Sequence, residues 1–372
     1  MIKVLNITSD KNIGGAGRCI LNFLAHYDRA QFSVEVCLPR GSLLIPEILA
    51  LDTKVIEVDG IENKSLDWKA ISALKKVIGD QRAQIVHTHG AMSGRIAGRQ
   101  RGVPVVYTRH SVFPPSPKIS KQPGKWLNGK INEHYADAIL AVAEAAKENL
   151  VDSGINPKKV EVILNGVPPV KPLPPEETIA QRARLNIPQD AFVGGILARL
   201  DLVKGHAYLL EAVKLCKEQG RPFFLVIAGT GAEEEALKSQ AESLGILEHV
   251  RFLGFVSDIQ QVLGILDIQL NASFGTEATS LALLEGMSLG IPAVVTDYGG
   301  NPGVIQNGRN GLLVPIKDPE ALARAVSQVM EDPEAYAKMV HGAREIFQEK
   351  FTADIYAKNI EAVYHRLLRK DK

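Results

Sequence analysis

Two cations and two carboxylates in the second half of the chain have the types and the spacing that a charged ligand requires. Arg199 and Lys204 follow an apolar, strand-like run at residues 192–198. A guanidinium offers a planar fork of donors and an ammonium offers a compact charge, and together they suit a diphosphate. The alternative interpretation is a solvated loop that happens to be basic.

Glu277 and Glu285 flank the start of a predicted helix. Thr279 and Ser280 are typical of a helix start, so Glu277 falls in the preceding loop and Glu285 about one and a half turns inside the helix. The helix would point its first N–H groups at a phosphate, while Glu277 would accept hydrogen bonds from sugar hydroxyls and Glu285 from a ribose. Glu285 could instead be an ordinary surface residue, but a carboxylate among its apolar neighbours needs a partner.

A glycine run, Gly14-Gly15-Ala16-Gly17, opens a helical pattern shortly after the first strand-like run at residues 3–9. Glycine lets backbone N–H groups approach an anion closely, which favours a phosphate or sugar loop. A plain tight turn explains the same residues equally well. Similar glycine turns follow later strands at Gly229 and Gly299.

Three histidines fall at or just past predicted strand ends. His87 can still belong to its strand, where a buried, hydrogen-bonded ring is the simpler interpretation, whereas His89 and His110 are expected further out. An imidazole beside a cleft can bind a hydroxyl or stabilise developing charge. A zinc site is a weaker hypothesis because no cysteine or carboxylate lies at metal-ligand spacing.

Strands alternate with helices in both halves of the chain, which predicts parallel β-α-β units. Five prolines within residues 168–177 indicate a linker. We therefore expect two open α/β domains facing one another, one over residues 1–170 and one over 171–351, with a final helix at 352–372. Ligands of such sheets bind at the carboxyl ends of the strands, where the residues above lie.

The composition excludes several classes of protein. The chain has 372 residues, a formal net charge of +1 and 45% hydrophobic residues, which fits a two-domain globular protein without an overall attraction for nucleic acid. Three scattered cysteines, Cys19, Cys37 and Cys216, predict core residues rather than disulfides. We see no secretory signal and no apolar run of membrane-spanning length, so a cytoplasmic location is expected.

The order and spacing of these motifs resemble the glycosyltransferase group 1 family, also called family 4. The resemblance covers essentially the whole chain and rests on the E-x7-E pair Glu277 and Glu285, the segment ARLDLVKG at 198–205, the Gly14-Gly15 loop and the H-x-H-G run at 87–90. It implies a GT-B fold of two Rossmann-like domains facing across a cleft, with the C-terminal helix crossing back onto the N-terminal domain.

The resemblance also implies an activity: retaining, metal-independent transfer of a hexose or N-acetylhexosamine from a UDP- or GDP-sugar to a glycan or lipid-linked acceptor, in cell-surface glycan or glycolipid synthesis, with no cofactor. The N-terminal domain would bind the acceptor and the C-terminal domain the donor. Front-side attack assisted by the leaving diphosphate would need no enzyme nucleophile.

Residue roles follow from the same resemblance. Arg199 and Lys204 would hold the diphosphate in place of a metal ion, Glu277 would bind the transferred sugar, and His110 would face that sugar. The catalytic residues are then Glu277, His110, Arg199 and Lys204. The donor-binding residues are Gly14, Gly15, Arg199, Lys204, Gly229, Val256, Ser280, Leu281 and Glu285. The acceptor-binding residues are His89 and Gly15.

Two departures from the family pattern affect specificity. The family often has E-G-F-G at the first glutamate, whereas this chain has Glu277-Ala278-Thr279-Ser280, so the loop around the donor sugar is altered. The family's later glycine loop often contains a glutamate where Gly303 stands here.

A basic stretch in the first half could contact a membrane. Lys118, Lys121, Lys125 and Lys130 surround Trp126 without an acidic residue among them. Basic residues with an exposed aromatic residue can bind an anionic surface, here the inner face of the cytoplasmic membrane, or a lipid-linked acceptor. A solvated basic loop is the alternative.

Three other functions fit parts of the pattern. A sugar-nucleotide epimerase shares the two-domain architecture but consumes no acceptor. An NAD-dependent dehydrogenase is disfavoured because the chain lacks a clean G-x-G-x-x-G followed by a strand-end acid. A non-catalytic nucleotide-sugar-binding module is disfavoured because both the cations and the carboxylates of the pattern are present.

Overall fold

The computed structural model describes residues 1–62 and 66–369. The chain divides into two compact units: an N-terminal unit, Met1–Pro168 together with the chain from Phe351 onward, and a C-terminal unit, Pro169–Lys350. Ser65, where the pattern of residues 65–81 predicts the start of a helix, and residues 370–372 of the predicted final helix lie outside the described residues.

The described part of the N-terminal unit contains one sheet of seven parallel strands, in the order β3-β2-β1-β4-β5-β6-β7. The strands are β1 (Ile2–Thr8), β2 (Phe32–Pro39), β3 (Lys54–Val58), β4 (Ile85–His89), β5 (Val105–Arg109), β6 (Ala138–Ala141) and β7 (Val160–Val162). Its first seven helices are α1 (Gly15–His26), α2 (Ile45–Ala50), α3 (Trp68–Asp80), α4 (Met92–Gln100), α5 (Pro117–Ser120), α6 (Gly124–His134) and α7 (Glu144–Asp152).

The C-terminal unit, whose residues are all described, contains a six-stranded parallel sheet in the order β10-β9-β8-β11-β12-β13. The strands are β8 (Val193–Leu197), β9 (Phe224–Ala228), β10 (Val250–Gly254), β11 (Ile268–Asn271), β12 (Ala293–Thr296) and β13 (Gly311–Val314). The helices are α8 (Pro175–Arg184), α9 (His206–Glu218), α10 (Glu234–Ser243), α11 (Gln260–Leu263), α12 (Leu281–Leu289), α13 (Asn301–Val304), α14 (Pro319–Glu331) and α15 (Pro333–Lys350).

Both sheets are Rossmann-like, as predicted. Each begins with a strand that ends up inside the sheet, and the chain then builds outward first on one side and afterwards on the other. This order creates a switch point between β1 and β4 in one unit and between β8 and β11 in the other. Loops diverge there at the carboxyl edge, which leaves room for a ligand.

Helices cover both sheets, and the strands are apolar for that reason. In the C-terminal unit, Leu225 and Leu270 from the sheet share a buried cluster with Leu210 of α9 and Val326 of α14. The three cysteines are buried, as expected of core residues.

The linker in the proline-rich segment is shorter than the sequence suggests, because a helix begins inside that segment. Residues 175–177 form the first turn of α8, with Pro175 as its first residue. Proline is tolerated there because the first N–H groups of a helix have no intrahelical partner. The predicted linker therefore ends at Pro174.

The final helix, α16 (Ala353–Arg369), belongs to the N-terminal unit. Tyr356 and Tyr364 are fully buried, and Glu361 accepts a hydrogen bond from the backbone N–H of Asp28 at 2.6 Å. The chain thus returns to the unit in which it started. Across residues 1–62 and 66–369, we find no helix with the length and apolar character of a bilayer span.

Candidate functional site

Two loops meet at the carboxyl edge of the second sheet, one after β8 and one after β11. The backbone N–H of Phe274 donates to the carbonyl of Val203 at 2.9 Å. Gly205 has φ +73°, and a Cβ there would lie 2.1 Å from the carbonyl oxygen of Ala272. Glycine is therefore required for the loops to approach this closely.

An ion pair joins these loops. Lys204 Nζ lies 2.8 Å from Glu277 Oε2, and the two side chains are only 14% and 7% exposed. The same oxygen is 3.1 Å from Ser273 Oγ and 3.4 Å from Asn271 Nδ2. The carboxylate is thus held by a cation and two neutral donors. Our sequence analysis assigned Lys204 and Glu277 to different parts of a donor and did not anticipate their direct contact.

A third loop, after β12, is fastened to Glu277 through the backbone. Gly300 donates its N–H to the Glu277 carbonyl at 3.1 Å, and Thr296 Oγ1 donates to the Ser273 carbonyl at 2.6 Å. The glycine loop predicted at 299–301 therefore lies beside the ion pair. Gly303, where the family often has glutamate, has open space around its Cα.

Helix α12 starts at this edge, as predicted. Ser280 is its N-cap and accepts a hydrogen bond from the Leu283 N–H at 3.4 Å, and Leu281 is the first helical residue. The first N–H groups of a helix carry partial positive charge. Glu285 lies on the second turn and is partly buried.

Arg199 lies at the other end of the loop after β8. It is 75% exposed and forms an ion pair with Asp201 at 3.0 Å. It lines a cavity of about 210 Å³ together with Gly229, Phe255 and Val256. A Cβ at Gly229 would lie 1.9 Å from the Ala198 carbonyl oxygen, so glycine is required at the wall of this cavity.

The two predicted cations therefore have different surroundings. Arg199 is exposed beside a cavity, whereas Lys204 is enclosed by the loops after β11 and β12. One loop of the C-terminal unit holds both, and simultaneous contact with one diphosphate remains a prediction.

In the N-terminal unit, Gly14 is the N-cap of α1 and Gly15 its first residue. Gly14 has φ −103°, and a Cβ at Gly15 would meet nothing within 4 Å. Backbone strain thus does not require glycine at either position. The first turn of α1 contains no acidic residue, although a Cβ at Gly14 would lie 3.6 Å from a carboxylate oxygen of Asp10.

The predicted histidines form a row on one face of the first sheet, because strand residues two apart point the same way. His87 is buried and hydrogen-bonded to Tyr364 and Thr108, each at 2.7 Å, which confirms the simpler interpretation of this residue. The rings of His87 and His89 stack with their centroids 4.4 Å apart, and the ring centroids of His89 and His110 are 5.1 Å apart.

His89 does not extend outward as we expected. It is the last residue of β4 and is buried. Its Nδ1 lies 2.8 Å from His110 Nε2, and its Nε2 lies 3.1 Å from Asn6 Oδ1. His110, just past β5, is the more exposed of the two rings. Among the described residues, no three His, Cys, Asp or Glu side chains form a metal-binding group.

Burial determines the charge of this row. It lowers the pKa of His87 to about 3 and that of His110 to about 4, and it holds the pKa of His89 well below its ordinary value. Neighbouring imidazoles add to the effect on His87 and His89. All three rings are therefore neutral near pH 7.

The histidine row should make the protein acid-sensitive. In the unfolded chain a histidine has a pKa of about 6.5. Below that pH the unfolded chain binds more protons than the folded one. The free energy of unfolding therefore decreases as the pH is lowered, until the pH reaches the folded-state pKa values of about 4 and about 3. Each residue contributes a slope of up to about 1.4 kcal/mol per pH unit.

Urea unfolding of the protein between pH 7 and pH 4.5 measures this slope together with that of His206, whose pKa burial lowers to about 4. The exposed His341 provides a matched control, since His341→Gln should leave the profile unchanged. A denaturation midpoint independent of pH over this interval would contradict the assignment.

The basic stretch forms α5 and most of α6. Trp126 is 58% exposed, and Leu127 and Ile131 are exposed on the same helix. Lys118, Lys121 and Lys130 are also exposed, Lys125 is partly buried, and Glu133 lies 3.7 Å from Lys130. An apolar and basic surface is thus present on this unit.

Sequence reasoning missed the neutral partners of the site. Asn271 and Ser273 hold the Glu277 carboxylate, and Asn6 holds His89. What indicates these residues in the sequence is a polar side chain in or just after an otherwise apolar strand, because a buried polar group there needs a partner.

Comparisons with known proteins agree with this geometry. The model for Glycosyl transferases group 1 matches residues 177–346, and the model for Glycosyltransferase Family 4 matches residues 13–171. EpsD of Bacillus subtilis, whose name places it among the glycosyltransferases, is 33% identical over 306 residues, which are 76% of this chain and 79% of that protein.

Two further proteins are informative. The UDP-Gal:alpha-D-GlcNAc-diphosphoundecaprenol alpha-1,3-galactosyltransferase of Escherichia coli is 29% identical over 72% of this chain and 71% of its own. The crystal structure of Anabaena Alr3699/HepE in complex with UDP superposes with a TM-score of 0.85 at 21% identity, covering 98% of this chain and 100% of that chain. This structural likeness establishes the fold alone.

Proposed function

Since this chain belongs to the glycosyltransferase group 1 family (family 4), we propose that it transfers a hexose or N-acetylhexosamine, with retention of configuration, from a nucleotide-diphosphate sugar to a hydroxyl acceptor. The observation that carries the proposal is the carboxyl edge of the second sheet. There the Lys204–Glu277 pair, the start of α12 and the cavity beside Arg199 all belong to loops that follow parallel strands.

In the proposed reaction the bond between the anomeric carbon and the diphosphate oxygen breaks, and the acceptor oxygen forms a bond on the same face. The departing diphosphate takes the acceptor's proton. Arg199, Lys204 and the N–H groups at Ser280 and Leu281 stabilise the charge that develops on the diphosphate. Glu277 binds the transferred sugar, with His110 and the Gly14-Gly15 loop nearby.

We further propose that the nucleotide is a uridine diphosphate whose base occupies the cavity at Gly229 and Val256, with Glu285 on the ribose. The side chains that line the cavity include no carboxylate, which suits uracil, with one N–H donor on its pairing edge, better than guanine, with three. The names of the Escherichia coli and Anabaena relatives also refer to UDP-galactose and UDP.

The N-terminal unit is proposed to bind the acceptor, with Gly15 near it. The proposed division places residues 1–170 and 352–372 in this acceptor domain and residues 171–351 in the donor domain. The pathway proposed for the product is cell-surface glycan or glycolipid synthesis.

A thermal-shift panel of nucleotide sugars tests the donor. A ligand that binds only the folded chain adds about 2.7 kcal/mol of stability at a hundred times its Kd. We expect UDP-sugars to raise the melting temperature and GDP-sugars to leave it unchanged. Stabilisation by GDP-sugars alone would overturn the uridine assignment.

Product analysis separates transfer from epimerisation, which the family matches make the weaker alternative. With the stabilising donor alone, an epimerase would change the sugar, while a transferase would leave it intact until an acceptor is added. The anomeric coupling in the product then distinguishes retention from inversion.

We also propose that the α5–α6 surface binds an anionic membrane face on the cytoplasmic side. Lys118 lies on α5 and Lys121 follows it, while Lys125, Trp126 and Lys130 lie on α6. Binding to vesicles containing anionic lipid should weaken with salt, because each lysine contributes about 1 kcal/mol through a screened attraction.

The lysine variant K118Q/K121Q/K125Q should lose this vesicle binding. The matched control, K3Q/K69Q/K76Q, removes three lysines from elsewhere on the same unit and should retain it. Equal binding of the unaltered protein to neutral and anionic vesicles would eliminate the membrane proposal.

A further inference from the structure

Three side chains form a continuous hydrogen-bonded row at the carboxyl edge of the first sheet. Asn6 Oδ1 lies 3.1 Å from His89 Nε2, and His89 Nδ1 lies 2.8 Å from His110 Nε2. Asn6 belongs to β1 and His89 to β4, and His110 follows β5, so the row crosses the switch point of the sheet.

The amide oxygen at one end determines the direction of the row. The Asn6 amide is oriented with Oδ1 toward His89 and with Nδ2 unpartnered among the described residues. An amide oxygen only accepts, so in this orientation the proton of His89 is on Nε2. A neutral imidazole has one N–H, which leaves His89 Nδ1 as an acceptor. His110 must then donate from Nε2, and its Nδ1 is the nitrogen without a proton. Burial lowers the pKa of both rings, which supports their neutral form.

His110 Nδ1 has no hydrogen-bond partner among the described residues and is shielded from solvent. Buried polar atoms are rarely left unpaired, and such an atom calls for an explanation. Since Nε2 is committed to His89, Nδ1 is the one ring nitrogen of His110 that remains for a further hydrogen bond.

We propose that His89 is a positioning residue rather than an acceptor-binding one: it sets His110 in the Nε2–H tautomer, so that Nδ1 accepts a hydrogen bond from a substrate hydroxyl. This inference rests on the proposed function, in which a sugar lies beside His110. The lone pair on His110 Nδ1 binds a group that has a proton to donate. The site therefore selects a sugar hydroxyl and disfavours a phosphate or carboxylate oxygen at this position.

Nitrogen NMR of the full-length protein labelled with ¹⁵N-histidine tests the tautomer without any donor, and His110→Gln identifies the signals of His110. We expect an unprotonated Nδ1 and a protonated Nε2 at pH 7.5. A proton on Nδ1 would overturn the proposal, whether or not the protein transfers sugars.

Two His89 variants distinguish positioning from simple packing. Asparagine places its amide near the position of Nδ1 and glutamine near that of Nε2. His89→Asn should therefore keep the tautomer of His110, while His89→Gln should give a mixture of both tautomers and lower kcat at least tenfold. Tyr364→Phe, which removes a partner of His87 only, should leave the His110 signals unchanged. An unaltered tautomer in His89→Gln would contradict a positioning role.

The nucleotide sugar that stabilises the protein most tests the contact itself. Its addition should shift the His110 Nδ1 signal, and UDP alone should not. An Nδ1 signal that does not change when the nucleotide sugar is added would refute the hydroxyl contact. If no nucleotide sugar in the panel stabilises the protein, that would count against the proposed function, while the result for the tautomer would still hold.

Discussion

Replacing Lys204 with alanine should lower kcat about a hundredfold or more, because a fixed charge that stabilises the leaving diphosphate is removed. The same change should lower the free energy of unfolding by about 3 kcal/mol, since the buried Glu277 carboxylate loses its charged partner. Steady-state kinetics and urea unfolding measure the two effects separately.

A double variant separates catalysis from stability. In Lys204→Met/Glu277→Gln, both charges are removed together, so the unfolding free energy should recover relative to Lys204→Ala. Activity should remain low, because the lysine cation is missing from the diphosphate and Arg199 alone remains. Near-normal turnover of Lys204→Ala would show that this lysine does not act on the leaving group.

Arg199→Ala should also lose about a hundredfold in kcat/KM, but with unchanged stability. The Arg199 side chain is 75% exposed, and its ion pair with Asp201 is a surface contact that adds little to folding. Kinetics with the donor identified by thermal shift, together with a melting curve, test the contrast with Lys204.

The conservative variant refines the role of Arg199. If the guanidinium binds two oxygens of the diphosphate at once, Arg199→Lys should recover only part of the activity, since an ammonium lacks the planar fork. Asp201→Asn provides the control, because it frees Arg199 from its partner without removing the cation. Full activity in Arg199→Ala would place the diphosphate elsewhere.

These two cations illustrate the limits of motif reasoning. The segment 198–205 presents both as equivalent members of one basic loop. In the structure, Lys204 is partly buried against the Glu277 carboxylate, which also accepts hydrogen bonds from Asn271 and Ser273. Arg199 is exposed beside a cavity. The same role in catalysis is proposed for both, but their different exposure predicts very different effects on folding.

The histidines show the same limit. Strand periodicity places His87 and His89 on one face of β4, and a buried His87 is the simpler expectation from its strand position. The sequence does not reveal that Tyr364, 277 residues away, covers that ring, or that His89 is buried in turn. Long-range packing thus buries His89, which we expected to lie further out than His87.

Local physical chemistry determined much of this protein from the sequence. Alternating apolar runs and helical patterns predict two parallel α/β sheets, and Ser280 marks the start of α12 because its hydroxyl can cap a free N–H. Glycines at Gly205 and Gly229 mark the turns at which a side chain would strike a neighbouring backbone. Each of these signals involves residues close together in the chain or the steric needs of one residue.

Tertiary structure alone decided which of these residues meet. Lys204 and Glu277 are 73 residues apart, and Asn6 and His89 are 83 apart. They are brought together because β8 pairs with β11 and β1 pairs with β4, a strand order that no local propensity encodes. Charges, tautomers and burial at the site depend on those long-range neighbours, which is why the sequence predicted the participants and the fold determined their partners.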